Sequence, residues 1–142
     1  MAEEIKILES DAEILASFEV MKELRDQLQK TSYVNAIRDL EKIAGYMLVG
    51  LFEDGIIQAV AGFRISKSLA WGKYLYVDDL VSLTNCRSCG YGKKLLDWLK
   101  DYGRSQNCNR LDLDSGVQRF EAHRFYLRER MDIVCHHFVV GL

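Results

Sequence analysis

The feature that most constrains the fold of this chain is a glycine-punctuated turn between an apolar strand and an amphipathic helix. The strand pattern runs from Tyr74 to Leu83, the turn from Arg87 to Lys93, and the helical pattern continues to Tyr102. Glycine suits positions 90 and 92 of such a turn, because a Cβ there would block close approach or oppose a positive φ. A turn of this kind presents backbone N–H groups and the positive end of a helix dipole, so it predicts a phosphate-binding site.

Composition places the chain among ordinary globular proteins. Its 142 residues suit one domain spanning residues 1–142, with 49% apolar and 28% charged residues. A formal net charge of −2 gives no general attraction to nucleic acid or to an anionic membrane. The first residues are acidic and lead into no apolar signal segment, and no run approaches the roughly 20 apolar residues of a membrane-spanning helix. We therefore expect a cytoplasmic protein that binds neither nucleic acid nor membrane.

The cysteines admit two interpretations. They stand at Cys86, Cys89, Cys108 and Cys135. The pair Cys86-x-x-Cys89, together with Cys135-His136-His137, contains residue types that bind zinc. A structural zinc site usually joins two ligand-bearing loops, however, and residues 133–140 have the pattern of a strand. We favour reduced thiols in loops and core, and we expect no bound metal.

The remaining segments predict a mixed α/β fold. The predicted elements are a strand at Glu4–Leu8, helices at about Asp11–Gln29 and Thr31–Ala44, strands at Tyr46–Phe52, Gln58–Ile65 and Tyr74–Leu83, a helix at Tyr91–Tyr102, a strand at Arg110–Asp114, a helix at Val117–Arg130 and a strand at Ile133–Val140. The Asp54-Gly55 turn predicts an antiparallel hairpin. A helical crossover between the strand that ends at Leu83 and the strand that begins at Arg110 predicts a parallel pair.

Three stretches, in this order, resemble the GNAT superfamily of N-acetyltransferases. Arg87-x-x-Gly90-x-Gly92 resembles its acetyl-coenzyme A loop, Asp78 to Ser82 the acidic end of its fourth strand, and Ala122 to Tyr126 its A-x-x-Phe-Tyr helix. A dinucleotide-binding glycine motif would follow the first strand of a βαβ unit, whereas these glycines follow the fourth strand of a series. The resemblance implies an α/β (α+β) fold with a mixed, mostly antiparallel sheet of about six strands and helices on both faces.

The sequence departs from the family pattern at three positions. Ser88 stands where a glycine is commonest, Arg119 where many members carry an asparagine, and Met131 where a Gly-Phe pair often follows the tyrosine helix. These departures concern local contacts.

The resemblance implies acetyl-CoA as cosubstrate and two sets of cofactor-binding residues. The pantetheine arm would lie along the backbone of Leu80, Val81 and Ser82, as an added strand would. The diphosphate would lie over the turn that begins at Arg87, bound by the backbone N–H groups of Ser88, Cys89, Gly90, Tyr91, Gly92 and Lys93. Lys93 and Lys94 either add positive charge there or are solvated first-turn lysines.

The resemblance also implies a catalytic role for Tyr126, and strand alternation together with carboxylate chemistry suggests roles for Asp78 and Asp79. Tyr126 would donate a proton to the departing thiolate, and Asp78 would take a proton from the amine, directly or through water. Asp79 would help Asp78 to attract a cationic amine. Strict alternation places Asp79 on the same side as Leu75, Val77 and Val81, with Asp78 on the opposite side. The alternatives are that Tyr126 only packs its helix and that one aspartate caps the following turn.

We therefore predict an N-acetyltransferase that transfers the acetyl group from acetyl-CoA to a primary amine of a small molecule or protein by direct attack. The alternative is a catalytically silent coenzyme A-binding module of the same fold, and a homodimer is possible. Among other titratable side chains, His123 lies three residues from Tyr126, close enough along a helix for the two to touch.

Overall fold

A computed structural model describes residues 2–87 and 89–142 of the chain. Its elements are β1 (Glu3–Leu8), α1 (Asp11–Ala16), α2 (Phe18–Leu24), α3 (Lys30–Ala44), β2 (Met47–Glu53), β3 (Ile56–Ser68), β4 (Gly72–Ser82), a 3₁₀ turn (Thr84–Cys86), α4 (Tyr91–Ser105), β5 (Arg110–Leu113) and α5 (Phe120–Arg128). The chain forms two units, the first ending at Asp112 and the second beginning at Leu113.

The sheet has the strand order β1-β2-β3-β4-β5, and the first four strands are antiparallel neighbours. The hairpin between β2 and β3 turns at Asp54 and Gly55, whose φ values are 52° and 82°, as two-residue hairpin turns of this kind require. Asn109, just before β5, donates its backbone N–H to the carbonyl of Lys73 at 2.7 Å. The first residues of β4 and β5 therefore lie side by side, which is the arrangement of a parallel pair.

Buried side chains cover both faces of this sheet. On one face Phe18 of α2 and Tyr33 of α3 pack with Leu48 of β2. On the other face, the ring of Phe63 in β3 makes edge contacts with two rings of α4. The ring centroids are 6.0 Å apart for Trp98 and 5.6 Å apart for Tyr102. Burial of apolar surface in both layers is the main source of stability for such a sheet. The predicted mixed, mostly antiparallel sheet with helices on both faces is confirmed.

The helical segment predicted as one helix over Asp11–Gln29 is divided in two and ends at Leu24. Ser17, at the division, is fully buried, and its hydroxyl donates to the carbonyl of Ile14 at 2.6 Å. The same hydroxyl lies 2.7 Å from the hydroxyl of Tyr33. A serine side chain that binds the backbone of its own helix competes with the helical hydrogen bonds, and here a tertiary partner holds it in that position.

The second unit contains α5, followed by residues 131–142, which have no helix or strand. The final strand predicted at Ile133–Val140 is therefore absent, and the sheet of the described residues has five strands. Phe138 and Val139 are about nine-tenths exposed, at 90% and 89%. An alternating apolar pattern forms a strand only when a neighbouring strand takes its backbone hydrogen bonds, and periodicity alone cannot show such a neighbour.

Among the described residues, no helix combines the length and the apolar character needed to cross a bilayer.

Candidate functional site

A β-bulge lies in β4 where the two aspartates stand. Asp79 is opposite Gly62 and Val77 is opposite Phe63, so Asp78 is the extra residue of the bulge. Val77 and Asp79, two residues apart, therefore lie on opposite faces of the sheet. Val77 shares the α4 face with its partner Phe63, while Asp79 points toward Tyr46 on the face covered by α1 to α3. The prediction that Asp79 shares a face with Val77 was wrong, because strict alternation does not hold across a bulge.

Asp79 is held from two directions. The buried Tyr46 hydroxyl donates to its Oδ2 at 2.6 Å, and Nε of Arg25 donates to its Oδ1 at 2.8 Å. The Asp79 side chain is 13% exposed, so its charge is compensated by these two donors rather than by bulk water. Burial, and then the charge of Asp79, raise the pKa of Tyr46 well above its ordinary value, which keeps the phenol protonated as a donor.

Gly62 makes this contact possible. A Cβ at Gly62 would lie 1.6 Å from the Tyr46 hydroxyl oxygen and 2.8 Å from Oδ2 of Asp79. Every other residue type would therefore displace the Tyr46–Asp79 hydrogen bond.

Asp78 has its own partner in Arg64, whose Nε lies 3.1 Å from Oδ2. Burial raises the pKa of the half-buried Asp78 carboxyl, and the hydrogen bond and charge of Arg64 act against that rise. Arg25 also donates through Nη2 to the backbone carbonyl of Asp78 at 2.9 Å. Each carboxylate of the acidic pair thus lies against a guanidinium, and Arg25 at the end of α2 contacts both residues of the bulge.

The glycine turn forms the first turn of α4. Gly90 precedes the helix with φ 78° and ψ 13°, a left-handed conformation that favours glycine. The first helical bond is the one from the Lys94 N–H to the Gly90 carbonyl, at 3.2 Å. The amides of a first turn have no acceptor within their own helix and face an incoming anion. The Cys89 amide instead donates to the Cys86 carbonyl at 3.1 Å, and Ser88 lies outside the described residues.

Cationic side chains near this turn have acidic neighbours. Lys93 lies 3.2 Å from Asp97, and Lys94 lies 2.8 Å from Glu3. Because these lysines have carboxylate partners, the helix terminus itself remains the principal attraction for an anion.

Beyond the bulge, β4 continues further than β5. Residues 80–82 pair with β3 from Leu80 opposite Ala61 to Ser82 opposite Ala59. Four residues of β5 span about 13 Å, whereas Leu80 lies seven residues beyond Lys73, or about 23 Å along the strand. β5 starts beside Lys73 and therefore does not pair with residues 80–82. That edge has the geometry to accept an extended ligand arm.

Tyr126 belongs to the second unit and lies in α5. Burial raises the pKa of its phenol, and the nearby charge of Arg119 offsets part of the rise. His123, which the spacing placed next to Tyr126, instead has Nε2 2.7 Å from the carbonyl of Gly116. In the same unit, Nδ1 of His137 lies 2.7 Å from the Asp114 carboxylate.

Sequence reasoning missed the side chains that hold the acidic pair. In the sequence, Tyr46 looks like the first residue of an apolar strand, and Gly62 and Arg64 look like ordinary residues inside the next strand. Arg25 carried no signal beyond its place in a polar segment. Partners this far apart in sequence become visible when the sheet register is known.

In the part of the chain that the structure describes, no three His, Cys, Asp or Glu side chains form a group that could hold a metal ion.

Comparison with known proteins identifies the class to which this fold and site belong. The model of the Acetyltransferase (GNAT) family matches residues 5–131. The chain is 38% identical over 122 residues to "Uncharacterized N-acetyltransferase YhdJ" of Bacillus subtilis (strain 168), and the match covers 86% of each protein. This chain belongs to the GNAT family of acetyltransferases.

Solved structures show the same fold. A Trypanosoma brucei acetyltransferase has a TM-score of 0.80 at 22% identity, over 99% of this chain and 100% of that one. An aminoglycoside N-acetyltransferase in complex with CoA has a TM-score of 0.83 at 11% identity, over 100% of this chain and 97% of that one. Acetyl transfer is the activity of the family, and the family uses acetyl-CoA.

Proposed function

We propose that this protein transfers the acetyl group of acetyl-CoA to a primary amine of a small molecule or protein by direct attack. The observation that carries the proposal is the segment from Asp78 to Lys93. This segment contains three features in succession: a bulge with two carboxylates, a strand edge that β5 does not pair, and the first turn of α4.

The first turn of α4 fits a diphosphate, because Gly90 adopts a left-handed conformation and nothing lies within 4 Å of a Cβ built there. An anion can therefore approach the backbone closely. The edge of Leu80, Val81 and Ser82 suits the amide-containing pantetheine arm, with Arg87 and residues 90–93 at the diphosphate, because the Cys89 N–H already donates to the Cys86 carbonyl. Acetyl-CoA supplies the thioester whose acetyl carbon accepts the amine nitrogen.

Transfer forms a C–N bond and breaks the thioester C–S bond, so the amine must lose a proton and the thiolate gains one. Asp78 is our candidate for receiving the amine proton, directly or through water, and burial that raises its pKa favours this role. Asp79, held by Tyr46 and Arg25, would support the charge of the incoming amine. Tyr126 is our candidate for proton donor, since a tyrosine phenol is protonated at neutral pH and burial raises its pKa further.

The test is release of free thiol from acetyl-CoA in the presence of a panel of primary amines. Tyr126→Phe should lower kcat by about 100-fold, the size typical of general acid catalysis, while KM for acetyl-CoA stays unchanged. Tyr102→Phe is the matched control, because the Tyr102 hydroxyl lies 3.8 Å from the Met47 sulfur, in the packing of α4. Equal kcat for the wild type and Tyr126→Phe would remove Tyr126 from the mechanism.

A second function is favoured by the pairing of both aspartates with arginines, which reduces their availability as bases. A catalytically silent module would bind coenzyme A and show a raised melting temperature with it, yet release no thiol with any amine. Failure of coenzyme A to raise the melting temperature would contradict both functions.

A further inference from the structure

Glu23, in the last turn of α2, contacts the turn that precedes α4. Its Oε1 accepts a hydrogen bond from the backbone N–H of Thr84 at 2.9 Å and another from the Thr84 hydroxyl. The same oxygen lies 3.6 Å from Nη2 of Arg87. Thr84 is the first residue of the 3₁₀ turn, so its amide has no acceptor within that turn. Glu23 therefore caps a turn that is 61 residues away in sequence.

Glu23 in the last turn of α2 and Arg25, just after that helix, thus contact the two ends of the stretch from Asp78 to Arg87. Arg25 binds the bulge at Asp78 and Asp79, and Glu23 binds Thr84 and Arg87. The strand edge of residues 80–82 lies between these attachment points. The end of α2 is therefore placed to determine the geometry of the whole segment.

We propose that Glu23 is a positioning residue for coenzyme A binding, acting through Thr84 and Arg87. This inference rests on the proposed function and adds to it a residue outside the proposed cofactor-binding set. By accepting from Thr84, Glu23 fixes the start of the 3₁₀ turn that precedes α4. By pairing with Arg87, it sets where that guanidinium stands relative to a diphosphate.

Simple electrostatics predicts the opposite effect of this carboxylate. A negative charge near a diphosphate repels it, so removal of a Glu23 that had no positioning role would tighten coenzyme A binding or leave it unchanged. Positioning predicts weaker binding after removal. The two effects differ in sign, and one dissociation constant decides between them.

The experiment is calorimetric titration of the full chain with coenzyme A. Glu23→Ala should raise the dissociation constant about tenfold, because it removes two hydrogen bonds to a charged acceptor. Glu23→Gln keeps an oxygen that can accept from Thr84, so it should raise the dissociation constant less than Glu23→Ala does. That difference would be rescue by the conservative variant. Glu19→Ala is the matched control on the same helix: Glu19 is exposed, lies 3.8 Å from Lys30 and should leave the constant unchanged.

A double-mutant cycle tests the route through Arg87. Arg87→Ala should cost less affinity in the Glu23→Ala background than in the wild type, since the partner that positions Arg87 is already gone. Additive costs would overturn the role of Arg87. Melting temperatures of all variants, measured without ligand, identify any that fail to fold, in which case the comparison of Glu23→Gln with wild type decides.

The outcomes separate the two proposals. If the wild-type chain binds coenzyme A and Glu23→Ala binds it equally or more tightly, the positioning role is wrong and the proposed function stands. If the wild type itself binds no coenzyme A, the proposed function is wrong, and the positioning role that rests on it is wrong too.

Discussion

The two ends of the segment from Asp78 to Lys93 are built in different ways. At the bulge, side chains from other elements fix the geometry: Tyr46 and Arg25 hold Asp79, and Arg64 holds Asp78. At the glycine turn, the geometry comes mainly from the backbone, through the left-handed Gly90 and the first turn of α4. A substitution at the bulge should therefore reduce stability first, whereas a substitution at the turn should reduce ligand binding first.

The largest expected effect is on stability at the bulge. Gly62→Ala would place a Cβ 1.6 Å from the hydroxyl oxygen of the buried Tyr46, so the tyrosine side chain must shift and lose its hydrogen bond to Asp79. We expect a loss of about 3 kcal/mol in the free energy of unfolding, at the upper end of the usual range for overpacking. Urea denaturation measures it.

Gly103→Ala is the control for that substitution. Its Cβ would lie 3.6 Å from Leu75 of β4, an ordinary van der Waals distance, and alanine is the better helix former, so the variant should be as stable as the wild type or up to about 1 kcal/mol more stable. A Gly62→Ala protein with wild-type stability would show that the Tyr46–Asp79 contact does not constrain the bulge.

The next effect is on binding at the turn. Gly90→Ala forces a side chain into a left-handed conformation at about 1–2 kcal/mol, and it should weaken coenzyme A binding at least tenfold by moving the first turn of α4. Gly45→Ala imposes the same strain at φ 68°, where nothing lies within 4 Å of the new Cβ, at the end of α3. It should lose the same stability and keep wild-type affinity for coenzyme A. Equal affinity losses in both variants would remove the special role of the turn.

The smallest effect comes from deleting one hydroxyl. Tyr46→Phe leaves Asp79 with the Arg25 hydrogen bond and should cost about 1 kcal/mol of unfolding free energy at neutral pH. Folding raises the pKa of Tyr46 above its ordinary 10.0, so its contribution is complete below pH 10 and is lost as the pH rises toward the folded-state pKa.

Wild-type stability should therefore fall more steeply above pH 10 than the stability of Tyr46→Phe, as urea denaturation across that range would show. Parallel pH profiles for the two proteins would mean that the Tyr46 phenol does not couple to folding.

Local signals in the sequence predicted most of the fold. Gly45 stops α3 in a left-handed conformation, Asp54 and Gly55 form the hairpin turn, and Gly90 adopts the positive φ expected of it. These residues act through intrinsic backbone preferences, which do not depend on tertiary contacts. The order of strands and helices follows from apolar periodicity for the same reason.

The features that the sequence did not predict depend on distant partners. The break at Ser17 is held by Tyr33, and the bulge at Asp78 lies opposite Gly62, whose missing Cβ admits the Tyr46 side chain. The roles of Tyr126, Asp78 and the turn remain predictions. The turn was predicted from its glycines, the role of Tyr126 from the family resemblance, and the role of Asp78 from its place at the end of the strand.

The bulge leaves Asp78 outside the alternation by which the neighbouring residues of β4 pack on the two faces of the sheet. Without Asp78, Val77 would still lie opposite Phe63 and Asp79 opposite Gly62, in uninterrupted alternation. Asp78 is therefore an insertion between two stretches that each keep their own layer. Exchange or removal of the residue at position 78 should therefore leave both hydrophobic layers in register.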